Sequence, residues 1–154
     1  MATAVDGLRA AVPALVALVT GSPPAAFHHR PATDAGVEQA WTAATVVSHL
    51  ADAELVYAVR LRLLLSADEP ELTPYDEDAW AARFGPLDDD PAVALARFRA
   101  LRENTLAILE SLTDQEWRRG GHHVERGHET VEAVVARMVA HDATHLDQIR
   151  AALA

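Results

Sequence analysis

Cysteine is missing from this 154-residue chain, which removes disulfides, thiolate metal ligands and a cysteine nucleophile together. Any thiol chemistry must therefore take its sulfur from outside the protein. Aromatic residues are scarce at 5%, while hydrophobic residues make up 50%. Alanine, valine and leucine supply most of that bulk, which favours close-packed helices and leaves strands absent or marginal. Positive charge is thin as well: 13 Lys and Arg face 23 Asp and Glu, for a formal net charge of -10. The arginines are scattered with no basic patch, which argues against nucleic acid as a partner. The apolar run Ala10 to Val19 is too short for a membrane span, and with Asp6 before it and only Arg9 as a positive flank it makes a poor leader. The expectation is a cytoplasmic protein with no membrane partner.

The length suits one domain, residues 1–154, with a sizeable core. Apolar residues Leu8, Val12, Leu15, Val16 and Val19 recur at helical spacing from Ala4 to about Thr20, where Gly21-Ser22-Pro23-Pro24 stops the run. A long connection through Arg30-Pro31 to about Gln39 follows, with Trp41 as an anchor. Thr42 caps a second helix to about Leu65, with Val46, His49, Ala53, Val56, Leu63 and Leu64 toward one side. Tyr75 to Trp80 reads as a short helical turn hung on two aromatic rings, closed by Gly85-Pro86. Asp90 before Pro91 starts a third helix over about 91–112. Thr113 and Glu116 have capping-box spacing, and a turn carrying Trp117 leads through Gly120-Gly121 into a histidine-rich loop, His122 to His128. Thr130 caps the last helix, whose Val131, Val134, Val135, Met138, Leu146, Ile149 and Leu153 mark its buried side. Four helices of this length make an all-α bundle.

Within the stripe of that last helix lie His141 and His145, one turn apart, and His49 sits at similar depth in the second helix. Imidazoles on a buried face cost free energy unless a partner satisfies them. Side chains four apart on a helix stand one above the other and can aim two nitrogens at a point about 2 Å from each, as metal ligation requires. His49 would complete a three-histidine set with coordination positions left open, the pattern of catalytic zinc. Asp52 and Asp142 are placed to orient such ligands; their other reading is a buried ion pair with Arg60 or Arg102. His122, His123, His128, His28 and His29 are expected to be exposed, though His123 could reach an open site from its loop. Gln148, three residues past His145, could point at the rim.

Together the segments Trp41-Thr-Ala-Ala-Thr-Val-Val-Ser-His49-Leu-Ala-Asp-Ala-Glu54, Tyr75-Asp-Glu-Asp-Ala-Trp80, Trp117 with His123-Val-Glu-Arg-Gly127-His-Glu-Thr130, and His141-Asp-Ala-Thr-His145-Leu-Asp-Gln-Ile149 resemble the DinB-like superfamily over nearly the whole chain. The resemblance implies an up-and-down four-helix bundle with a long first connection, commonly a homodimer. It also implies a divalent metal on His49, His141 and His145. Three imidazoles suit zinc, nickel, copper or iron about equally well, and zinc or nickel is the metal expected here. Members with an assigned activity include metal-dependent enzymes that use a low-molecular-weight thiol, such as bacillithiol transferases and mycothiol-dependent maleylpyruvate isomerase.

Three expectations follow. The first is a metal-dependent thiol S-transferase acting on a small electrophile, in which the cation lowers the pKa of an external thiol, Asp52 and Asp142 orient the ligands and His123 moves protons. The second is a non-catalytic, stress-related bundle that binds metal or a small ligand; a metal-dependent hydrolase stands beside these, since the same open position can activate water. The third needs no metal and bonds the three histidines to the two aspartates. A homodimer is expected from the resemblance alone, since no long exposed apolar seam can be isolated in the sequence.

Overall fold

The computed structural model of the chain describes residues 2–29, 41–85 and 90–154. Its helices are α1 (Ala2–Gly21), α2 (Ala43–Ser66), a short α3 (Glu77–Phe84), α4 (Pro91–Glu110), the single turn α5 (Asp114–Trp117) and α6 (Val131–Leu153). The helix starts follow local chemistry. Thr42 accepts from the Thr45 amide at 3.2 Å, Asp90 from Ala92 at 2.9 Å and Thr130 from Ala133 at 3.2 Å. Thr113 and Glu116 bond reciprocally as a capping box. Each cap satisfies an amide that has no partner within its own helix.

The four long helices form the expected all-α bundle, with one refinement. α1 packs on α4 and α6, and α2 packs on the same two, so α1 and α2 face each other across the diagonal. One core cluster joins Ala11 and Leu15 of α1 and Leu146 and Ile149 of α6 to the N-terminal parts of α2 and α4. A second joins Val5, Leu8 and the start of α6 to Leu61, Leu64 and Leu109 at the far ends of α2 and α4. The directions are therefore up, down, down, up. The long first connection carries the chain across the bundle; it begins with a 3-10 turn, Pro24–His28, that buries Phe27. Its stretch from Arg30 to Gln39 lies outside the described residues, as does Pro86.

A return connection runs between α2 and α4. It holds β1 (Glu71–Leu72) and α3, where Asp76 caps by accepting from Ala79 at 2.9 Å and the Tyr75 and Trp80 rings stand 4.8 Å apart. The turn expected over 75–80 is thus the start of a helix that reaches Phe84.

The histidine-rich segment is a hairpin, not a loop: β2 (Gly120–His123) pairs antiparallel with β3 (Gly127–Thr130), and β1 adds in parallel to β2. Its turn needs a positive φ, supplied by Gly127 at 77°. Gly121 allows the close approach of β1, since a Cβ there would stand 2.5 Å from the Pro70 carbonyl oxygen. Among the described residues, ten residues in three short strands fit the expectation of marginal sheet.

Two features of the surface differ from expectation. Leu63 is 37% exposed and Leu61 takes its place in the core; with Leu55 and Val59, Leu63 forms an exposed apolar stripe at four-residue spacing on α2. In α1, Thr3–Gly21 is long and apolar enough to cross a membrane by length and composition, because the helix extends the Ala10 to Val19 run at its N-terminal side. In the bundle its Val5, Leu8, Ala11 and Leu15 are buried.

A polar layer separates the two core clusters. Arg102 donates to Glu54 at 2.7 and 3.0 Å and to Asp142 at 2.6 and 3.2 Å, and also to the Leu8 carbonyl. The Thr105 hydroxyl donates to the other oxygen of Glu54 at 2.6 Å. All four side chains are buried. Burial by itself would lower the Arg102 pKa, but Asp142 and Glu54 together hold it above its ordinary value.

Candidate metal centre

α2 and α6 pack side by side, and at the level of the polar layer each turns imidazoles toward the other. His49 Nε2 and His141 Nε2 are 3.0 Å apart, and one ligand atom from each of His49, His141 and His145 falls within 4.8 Å of the other two. The ring centroids are 4.3 to 5.0 Å apart. Two nitrogens bound to one ion at about 2.0–2.1 Å stand roughly 2.8–3.4 Å apart at octahedral to tetrahedral angles, so the His49–His141 pair, at 3.0 Å, already has ligand spacing. Trp41 lies against His49, ring to ring at 4.8 Å, which places this anchor beside the cluster.

The protonation states suit cation binding. Burial, with His145 nearby, lowers the His49 pKa from 6.5 to about 4. Burial, then His145, His49 and Arg102, lowers that of His141 to about 3. Both imidazoles are neutral at neutral pH and offer lone pairs. His145 Nδ1–H donates to Gln148 Oε1 at 2.8 Å, which leaves the Nε2 lone pair for a ligand. Gln148 thus reaches the rim, as its spacing suggests.

The other sequence-derived residues sit elsewhere. Asp142 is the carboxylate held by Arg102, the ion-pair reading rather than a contact with an imidazole. Asp52 pairs with Arg97 at 3.2 Å. His123 is buried, not exposed, and is not one of the three clustered donors. Its side chain turns inward from β2 to stand 3.4 Å from Arg60, because alternate residues of a strand face opposite sides. His122, His128, His28 and His29 are exposed as expected.

A pocket of about 410 Å³ opens beside His141, lined among others by Tyr57, Arg60, Tyr75, Glu77 and Arg126. Glu77 was not singled out in the sequence. It stands on the first turn of α3, with its carboxylate 3.8 Å from His49 Nε2; only the fold of the return connection brings it there. Burial raises the Tyr57 and Tyr75 pKa values, so both phenols stay protonated at neutral pH. The arrangement offers a cation three imidazole nitrogens beside a cavity large enough for a small molecule.

A family model of the DinB superfamily matches residues 8–149. The chain is 34% identical over 110 residues to a Bacillus subtilis protein named "Putative metal-dependent hydrolase YfiT", covering 71% of this chain and 62% of that protein. It is 28% identical over 112 residues to OB0782 of Oceanobacillus iheyensis, which carries the same description, covering 71% and 63%. The chain thus spans less than two-thirds of the length of these relatives. Among solved structures it is similar to that of Bacillus subtilis YfiT, described as an unusual four-helix bundle topology, with a TM-score of 0.85 and 29% identity over 97% of this chain and 83% of that one. With the fold and a family match over nearly its full length in agreement, the chain belongs to the DinB superfamily.

Proposed function

We propose that the chain is a divalent-metal-dependent enzyme for a small molecule, with His49, His141 and His145 as ligands and zinc or nickel as the metal. One observation carries this reading: three imidazoles from two helices converge within 4.8 Å beside a pocket. When bound, the cation supplies Lewis acidity that lowers the pKa of a thiol or a water.

Thiol S-transfer to a small electrophile is the preferred reaction. The protein has no cysteine of its own, so a low-molecular-weight thiol would enter through the pocket. Tyr57 and Tyr75 line that pocket as protonated hydrogen-bond donors toward substrate. Glu77, 3.8 Å from His49 and exposed at the pocket mouth, is positioned to take up a proton released there. Gln148 fixes the His145 ring. Asp142 holds the α6 turn that carries His141 by its bonds to Arg102, and Asp52 does the same for α2 through Arg97. His123, buried against Arg60, has no role at the reacting atoms in this reading.

Hydrolysis is the second reading, supported by the description of the relatives as metal-dependent hydrolases. Metal-loaded protein incubated with a panel of small electrophiles and esters, with and without added thiol, separates the two. Thiol-dependent loss of electrophile supports transfer. Thiol-independent ester cleavage supports hydrolysis, and no turnover in either arm contradicts both. A homodimer is proposed too, supported by the Leu55, Val59 and Leu63 stripe and tested by sedimentation of wild type beside Val59→Glu.

A further inference from the structure

We propose that the arginine end of the pocket is a binding subsite for the carboxylate of a small-molecule substrate. It deepens the reading above by naming a substrate class, and its catalytic meaning rests on that reading.

Arg60 is 7% exposed yet lines the pocket. One of its terminal nitrogens donates to the Thr73 carbonyl at 2.8 Å, and its Nε has no hydrogen-bond partner among the described residues. The contact with His123 does not relieve it. The Glu125 amide donates to His123 Nδ1 at 3.2 Å, so in the neutral ring the proton sits on Nε2, the atom 3.4 Å from Arg60. Two N–H groups therefore face each other. A buried guanidinium with one neutral carbonyl as its acceptor among the described residues is costly, and an anion with two acceptor oxygens matches its donor fork.

Further positive charge lies at the same end. Arg126 and Arg137 also line the pocket, and both bond Glu129, so one carboxylate answers two guanidinium groups. After burial, Arg126 is the strongest influence lowering the Arg60 pKa, ahead of any acidic neighbour. In a chain of net charge -10, this local excess of arginine stands out. Of the acidic lining, Asp76 is engaged as the α3 cap and Glu77 lies by His49, while Glu125, next to Arg126 in the chain, is exposed.

Tyr57 links the two ends. Its ring centroid is 5.8 Å from Arg60 Cζ and 6.0 Å from the His141 ring. A small acid seated on Arg60 would thus lie across one tyrosine ring with its far end at the histidines. A planar, bidentate acceptor fits this fork better than a spherical anion does.

The test is a calorimetric and NMR titration of the full chain with succinate and benzoate against their amides, succinamide and benzamide. Each is run with metal-free and with metal-loaded protein. Both acids are expected to bind at least about tenfold more tightly than the amides, with or without metal and also in His145→Ala. Arg60→Met should lose at least about tenfold in acid affinity while retaining its metal stoichiometry. If Arg60→Met fails to fold, Arg126→Gln and the shift of the Arg60 Nε–H resonance on adding acid provide the readout. Equal binding of acid and amide, no binding of either at millimolar concentration, or unchanged acid affinity in the arginine variants overturns the proposal. Binding that requires metal and vanishes in His145→Ala overturns it too, because the acid would then sit on the ion. Failure of the metal reading shows separately, as wild-type protein that takes up no metal.

Discussion

Arg102 grips Asp142 at 2.6 and 3.2 Å, one residue along α6 from His141, and so ties the turn that carries a proposed metal ligand to the polar layer dividing the core. Arg102 is 1% exposed and also holds Glu54, through two further hydrogen bonds. Arg102→Met would leave two buried carboxylates without a cation. Breaking such a network costs about 3–5 kcal/mol, and urea denaturation of metal-free protein should show a loss of that size. A loss below about 1 kcal/mol, typical of exposed pairs, would mean that the layer is not a structural unit.

Gln148 is exposed and contributes little to the core, but it fixes the ring of His145. Gln148→Ala should weaken metal affinity by about 10–100-fold and leave the melting temperature of the metal-free protein unchanged. Competition with a chromogenic chelator measures the first and calorimetry the second. Unchanged affinity would remove Gln148 from the centre.

Acid should destabilise the metal-free protein through His49 and His141. Burial lowers their folded-state pKa values from 6.5 to about 4 and about 3, so below pH 6.5 the unfolded chain binds protons that the folded chain refuses. The stability gained from these two groups is complete above pH 6.5 and is lost as pH falls toward 4 and 3. Denaturation midpoints between pH 8 and 4 should drop less steeply in the His49→Gln/His141→Gln double variant. Parallel curves would contradict the assignment.

Gly121→Ala tests how the hairpin is attached. The added methyl would stand 2.5 Å from the Pro70 oxygen, a backbone atom, and 3.1 Å from Leu64 Cδ2, so β1 or β2 must shift. Overpacking of this kind costs about 1–3 kcal/mol. Hydrogen exchange should then quicken at His122, whose amide donates to Pro70 at 2.8 Å; unchanged protection would show that the strands separate without cost.

The parts of the molecule that could be read from sequence are those specified by local pattern. Thr42, Asp90, Thr113 with Glu116, and Thr130 each cap within three residues of themselves, so the helix starts were visible. His141 and His145 share a helix face by spacing, and His49 joined them through its place in the second stripe. What depends on distant pairing was hidden. Gly120-Gly121-His122-His123 has none of the β-branched alternation of a strand, and it becomes one through Pro70–Leu72, some fifty residues earlier. His123 looked like a loop residue for the same reason and is instead buried. Of the two readings open for Asp142, the ion pair with Arg102 is the one adopted, but its second partner, Glu54, lies on another helix and carried no local signal. Tyr57, Arg60 and Glu77 meet at the pocket only because α3 and the hairpin fold back against α2 and α6.

The most direct measurement is elemental analysis of purified, metal-supplemented protein beside His49→Ala. About one divalent ion per wild-type chain and almost none in the variant, with both proteins folded by circular dichroism, is the predicted result. A wild-type chain that takes up no ion, or a variant that retains a full complement, would contradict the three-histidine centre.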